Sequence, residues 1–189
     1  MGRLAFQVLR CNVLTVLLLS LLVQFGCQPK RVKPGEGTPE QQLEKAIETF
    51  EKRRYDSAKM LFNYIIISNP GSRVVEEAQY YLAESHFELK EYLLAVAEYE
   101  KLIRSLPQSP FVDDARYKIG MCYYHLSPNY ALDQEYTHKA VYEFERFLDE
   151  YSTSDLRPEV ERRLNEMRNK LAYKEYKTGE QYYKMGYYN

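Results

Sequence analysis

An internal repeat constrains this chain more than any other feature of its sequence. Small, aromatic and proline residues follow one another in a fixed order between positions 46 and 70, and the same order returns 37 residues later. The first copy consists of Ala46, Phe50, Tyr55, Ala58, Phe62 and Pro70, and the second of Ala83, Phe87, Tyr92, Ala95, Tyr99 and Pro107. A fixed period of this length is typical of helical solenoids, in which each unit buries its apolar face against the next.

Two further copies follow, and the third is interrupted. It begins with Gly120 and Tyr124, is displaced by the eight-residue insertion SPNYALDQ (127–134), and resumes with Ala140 and Phe144. The fourth opens with Gly179. We therefore predict an all-α solenoid over 39–189, made of three helix-turn-helix repeats (about 39–73, 74–110 and 111–154) and the first helix of a fourth (155–189).

Capping residues and apolar periodicity predict where the helices lie. Thr38-Pro39 supplies an N-cap and a proline at the first helical position, so the first helix begins there and ends near the basic residues 52–54. Small residues such as Ala46 and Ala83 are expected where paired helices cross. The other predicted helices run from Asp56 to Ser68, Val74 to Leu89, Tyr92 to Leu106, Phe111 to His125, His138 to Tyr151, and from Arg157 toward Met185.

The first 26 residues have the pattern of an export signal. Arg3 and Arg10 precede an apolar run of 11 residues (13–23), which is shorter than the roughly 20 residues a membrane-spanning helix needs. Cys27 follows, and the pattern resembles a bacterial lipoprotein signal, which implies cleavage before Cys27 and lipidation of its thiol. Gln24 and Phe25 depart from that pattern, so ordinary signal cleavage or an uncleaved anchor remains an alternative. Residues 27–38 contain prolines, glycines and basic residues and are predicted to form a flexible tether.

Composition and motifs exclude several function classes. The whole chain has 26 Lys+Arg against 27 Asp+Glu, which argues against a nucleic-acid partner. His86, His125 and His138 do not form a compact metal pattern, and no cofactor, metal or catalytic motif is found. Cys122 is predicted to be a buried packing residue. We therefore expect a protein that is not an enzyme.

The repeat offers a concave surface for binding instead. In a helix-pair solenoid the first helix of each pair lines the groove, and equivalent positions there carry tyrosines flanked by acids. An extended peptide or a partner subunit could bind such a surface, although the same rings could simply pack between neighbouring hairpins. The predicted groove residues are Tyr80, Glu84, Phe87, Asp114, Tyr117, Met121, Tyr124 and Tyr176.

The repeated small, aromatic and proline positions resemble tetratricopeptide repeats, here with three residues beyond the usual length. A closer resemblance is to the BamD family of outer-membrane lipoproteins. It is carried by the cysteine after the export signal, the NPGS, LPQS and YSTS turns, the insertion before THKAVYEFERFLDEY, and the helix ending LAYKEYKTGEQYYKMGYY. Members of that family carry five repeats, so this sequence is expected to be a fragment.

The BamD resemblance implies a lipid-anchored protein on the periplasmic face of the outer membrane. It implies a non-enzymatic adaptor that binds unfolded outer-membrane proteins, a BamA-like barrel assembly protein and other subunits of that machinery. Two alternatives remain open at the sequence level. One is another periplasmic repeat scaffold, serving cell-envelope division or a secretion complex. The other is a repeat domain attached to an enzyme whose catalytic part lies beyond Asn189.

Overall fold

The computed structural model describes residues 35–187, and in this range every regular element is an α-helix. Each helix packs against the next in the chain; the first also contacts the third, and the fifth contacts the seventh. This arrangement confirms the predicted all-α solenoid. The helices are α1 (Pro39–Glu51), α2 (Tyr55–Ser68), α3 (Val74–Glu88), α4 (Tyr92–Ser105), α5 (Val112–Leu126), α6 (Glu135–Glu150) and α7 (Arg157–Lys184). The predicted export signal, Cys27 and most of the predicted tether lie outside the described residues.

The start of α1 shows why the chain becomes helical at this point. The Gln41 main-chain N–H donates to the Thr38 hydroxyl at 3.4 Å, and the Thr38 N–H donates to the Gln41 side-chain oxygen at 3.0 Å. Pro39 occupies the first helical turn, where its missing N–H removes no hydrogen bond. This reciprocal capping box confirms the predicted helix start at Thr38-Pro39.

The two tight hairpin turns use the same backbone device. Arg53 after α1 and Lys90 after α3 both have positive φ, 56° and 61°, and they are 37 residues apart. A left-handed residue at a helix end lets the chain reverse direction at once. The repeat period therefore governs the turns as well as the packing positions.

The core lies between the two helices of each pair and between successive pairs. One cluster joins α3, α4 and α5 around Ala83, Ala95 and Tyr99. A second joins α5, α6 and α7 around Phe144 and Phe147. The repeated alanines are fully buried where the helices cross, which is why larger side chains do not occur there; they are Ala46, Ala58, Ala83, Ala95 and Ala140.

The insertion of the third repeat is an ordered loop, and it makes α6 start earlier than predicted. The Glu135 N–H donates to the Asp133 carboxylate at 2.8 Å, while the Gln134 side-chain amide donates to the main-chain oxygens of Asn129 and Leu132, both at 2.9 Å. Thr137 donates to the Gln134 side-chain oxygen at 2.7 Å. The prediction that α6 begins near His138 was wrong by one helical turn, because these local bonds were not read from the sequence.

Candidate functional site

The predicted groove residues lie on the first helices of successive pairs, as the repeat register required. Tyr80, Glu84 and Phe87 are on α3, Tyr176 is on α7, and the other four are on α5. Their exposure differs strongly: Tyr176 is 64% exposed, whereas Glu84 and Met121 are each only 8% exposed. The remaining five are half-buried. These positions share helices and register, and their binding role stays a prediction.

Glu84 is the centre of a buried polar network between α3, α4 and α5. Its carboxylate accepts a hydrogen bond from the Tyr99 hydroxyl, which comes from the second helix of the same pair. It also accepts from Lys118 on α5, at 2.8 Å. The same ammonium lies 4.7 Å from the ring centroid of Phe87. Because its charge is already paired, Glu84 positions Lys118 rather than offering a free carboxylate.

Lys118 was missed by the sequence analysis, although a signal was present. It follows Asp114 by four residues, so the two positions share one face of α5. Only the contact across 34 residues to Glu84 shows that the ammonium is held beside the aromatic ring. The α3–α5 part of the surface therefore presents a cation as well as acids.

Aromatic packing and desolvation shape the same part of the surface. The Tyr80 ring stacks on Phe111 with centroids 4.9 Å apart. Burial, with the nearby Glu84 carboxylate, raises the pKa of the Tyr80 hydroxyl. Burial also raises the pKa of Asp114, and the neighbouring Asp113 charge adds to the effect. A carboxylate that is partly removed from water is stabilised when a hydrogen-bond donor or a cation binds to it.

A second part of the surface joins α5 to α7. The Tyr124 hydroxyl donates to Glu166 at 2.8 Å, and the Arg163 guanidinium lies 4.9 Å from the Tyr124 ring centroid. Tyr117 lies 6.4 Å from the Phe144 ring, and Met121 is part of the core beneath it. Arg163 and Glu166 were not predicted, although their three-residue spacing places them together on α7.

Tyr176 lies beyond both parts, farther along α7. Its ring is close to that of Tyr173, with centroids 6.4 Å apart, and both rings are exposed. The structure therefore places seven of the predicted residues between α3, α5 and the first half of α7, and leaves Tyr176 on the open second half of α7.

The described residues also lack two features that would point to another kind of site. Within residues 35–187, no group of histidine, cysteine and acidic side chains is arranged to hold a metal ion. In the same range no helix combines the length and the apolar character needed to span a bilayer. Aromatic faces next to paired charges suit the binding of an extended chain, whose apolar side chains contact rings while its polar groups meet fixed partners.

The repeated hairpins, their left-handed turns and the aromatic face of the first helices define a tetratricopeptide-type repeat protein. Comparison with protein families identifies the branch: residues 36–189 match the family described as YfiO, outer membrane lipoprotein. The chain belongs to this family, which confirms the BamD resemblance seen in the sequence. A comparison with curated proteins found no match.

Proposed function

We propose that this protein is a non-enzymatic periplasmic adaptor of the outer-membrane β-barrel assembly machinery. It binds unfolded outer-membrane proteins and a BamA-like partner through the face formed by α3, α5 and α7. The observation that carries this proposal is the match to an outer membrane lipoprotein family over the whole described solenoid. The paired charges and aromatic rings on that face support a binding role.

The binding mechanism follows from preorganisation. Lys118 is fixed by Glu84 at 2.8 Å, and Tyr124 is fixed by Glu166 at 2.8 Å. Side chains that are already ordered lose little conformational entropy when a flexible client docks. The flexible client loses conformational entropy when it becomes ordered on binding. We therefore expect moderate affinity and tolerance of varied client sequences.

The anchor belongs to the same proposal. Stable membrane anchoring takes more than one acyl chain. Acylation of both the thiol and the amine of Cys27 would supply these chains and hold the solenoid at the membrane. The face would then meet clients as they approach the outer membrane from the periplasm.

The test combines capture with site-specific crosslinking. A photoreactive residue replaces Tyr176 on α7 or, as a matched control, Tyr142 on α6, since the two tyrosines are similarly exposed at 64% and 59%. We expect unfolded outer-membrane proteins and BamA-like partners to crosslink at position 176 but not at 142. We also expect Cys27→Ala to leave the membrane fraction.

Two results would contradict the proposal. Equal crosslinking at positions 142 and 176 would show that clients contact the solenoid without preference for the face of α3, α5 and α7. Capture of cell-envelope division or secretion proteins in place of barrel assembly proteins would favour another periplasmic repeat scaffold.

A further inference from the structure

The outward side of α2 carries an apolar stripe that the repeat architecture does not require. It consists of Met60, Tyr64 and Ile67, which follow helical spacing and so lie on one side of the helix. Ile67 is 77% exposed and Met60 is 63% exposed, while Tyr64 is at the margin of exposure. The residues that α2 gives to the core are different ones, namely Ala58, Leu61, Phe62 and Ile65.

The other repeats provide an internal comparison for these three positions. In the second repeat, 37 residues later, they are Ala97, Lys101 and Arg104. In the third, after the eight-residue insertion, they are Tyr142, Arg146 and Asp149. Both later copies place charged side chains where α2 has tyrosine and isoleucine. The apolar stripe is therefore a property of the first repeat and not of the fold.

The stripe lies where the chain enters the solenoid. Gly35 is against Tyr64: a Cβ atom built on Gly35 would lie 2.7 Å from the Tyr64 hydroxyl oxygen. Only the seven residues 28–34 separate Cys27 from Gly35. Even fully extended they span no more than about 30 Å. An acyl anchor on Cys27 would therefore keep this side of α2 close to the bilayer.

The intervening segment has the charge expected near lipid headgroups. It contains Lys30, Arg31 and Lys33 and no acidic residue. Basic residues next to an anchor are attracted to anionic headgroups. Tyrosine is favoured at the membrane interface, where its ring contacts apolar groups while its hydroxyl stays hydrated. The apolar side chains of Met60 and Ile67 can enter the headgroup and acyl boundary beside it.

We propose that the stripe formed by Met60, Tyr64 and Ile67 docks on the lipid surface to which Cys27 anchors the protein. This inference rests on the lipid anchor of the proposed function. Docking restricts the rotation of the solenoid about its tether. The face of α3, α5 and α7 then keeps a defined orientation to the membrane.

The absence of tryptophan from the chain allows a clean test. Ile67→Trp introduces a single tryptophan at an exposed site, and Arg104→Trp is the matched control at the equivalent position of the second repeat. The proteins are produced with their own first 26 residues, so that Cys27 can be acylated, and are mixed with vesicles of phosphatidylethanolamine and phosphatidylglycerol with brominated acyl chains. Flotation of the vesicles reports the anchor, and tryptophan emission reports docking.

We expect both variants to float with the vesicles. We expect Ile67→Trp to show a blue-shifted emission and about twofold stronger bromine quenching than Arg104→Trp, since interfacial side chains reach the headgroup and acyl boundary. Flotation with identical, water-like emission from both variants would overturn docking and leave the anchor intact. Failure of both variants to float would overturn the anchor and the docking with it.

Discussion

Gly120 shows how a single residue sets the distance between two helices. It is the small position of the third repeat, and a Cβ atom built on it would lie 2.5 and 2.6 Å from two carbons of the Phe144 ring. The first two repeats tolerate alanine at this position, where Ala46 and Ala83 are fully buried. The third repeat brings an aromatic ring so close that only glycine fits.

We expect Gly120→Ala to destabilise the protein by about 1–3 kcal/mol, because the ring or the backbone has to move. Gly179→Ala is the matched control: it occupies the fourth copy of the same position, in α7, and has no atom within 4 Å of the added methyl group. That variant should gain about 0.5–1 kcal/mol, since alanine favours helix over glycine. Urea unfolding of both variants checks the pair, and a Gly120→Ala variant as stable as the wild-type protein or more so would contradict the contact.

At the same scale, sequence reasoning assigned the predicted groove residues to their helices but did not show their burial or their partners. The 37-residue register placed Glu84 and Tyr80 on one helix face correctly. It could not show that Glu84 is buried, because Tyr99 and Lys118, which hold it, lie 15 and 34 residues away and on other helices. Pairing across helices depends on packing angles that a repeat pattern does not contain.

At the scale of elements, α7 holds the insertion of the third repeat in place. Lys170 donates to the Ser127 hydroxyl at 2.8 Å and to the Pro128 main-chain oxygen at 3.1 Å. Lys174 donates to the Leu132 main-chain oxygen at 2.5 Å. The Tyr130 and Tyr173 rings meet edge to face, 4.7 Å apart. The loop is therefore fixed by the helix that follows it, and the two should move as one element.

Lys170→Met keeps the apolar stem of the side chain and removes its ammonium group. We expect faster amide hydrogen exchange across residues 127–134. The free energy of local opening should fall by about 1–3 kcal/mol, because the Pro128 main-chain oxygen is left without its hydrogen-bond donor. Exchange in α1 and α2 should be unchanged. Lys101→Met, at an exposed site on α4, serves as the control. Equal exchange in the loop of both variants would show that the lysine does not hold it.

Helix positions were the most predictable part of the fold. Six of the seven helices start within one residue of their predicted positions after Thr38-Pro39, Asn69-Pro70 and similar signals, because caps and prolines act locally. The start of α6 was missed because the loop bonds of Gln134 replace a conventional cap. Local signals predict elements well, and an insertion replaces them with contacts specific to this chain.

At the scale of the whole molecule, folding protects several tyrosine hydroxyls of the described solenoid from ionisation. Burial raises the pKa of Tyr80, Tyr99, Tyr117 and Tyr123, and the Glu84 carboxylate adds to the effect at the first two. These groups stay protonated in the folded state at a pH where they would ionise in the unfolded chain. Their contribution to stability is complete below a pH of about 10 and is lost as the pH rises above it.

We therefore expect the free energy of unfolding to fall steeply above a pH of about 10. Each protected tyrosine contributes a slope of up to about 1.4 kcal/mol per pH unit. Tyr99→Phe should make this decline shallower than in the wild-type protein, because it removes one protected hydroxyl group. Denaturant unfolding at a series of alkaline pH values, with tyrosinate absorbance recorded in parallel, measures both. An unchanged slope in Tyr99→Phe would show that this hydroxyl titrates normally.

Cys122 gives the solenoid a chemical property of its own. It is fully buried between α4 and α5, and burial, with the charge of Glu84, raises the pKa of its thiol. Disulfide exchange and alkylation proceed through the thiolate, so the folded protein withholds this sulfur from both. Reaction at Cys122 requires the middle of the array to open. The rate at which Cys122 is modified therefore measures how often the middle of the array opens.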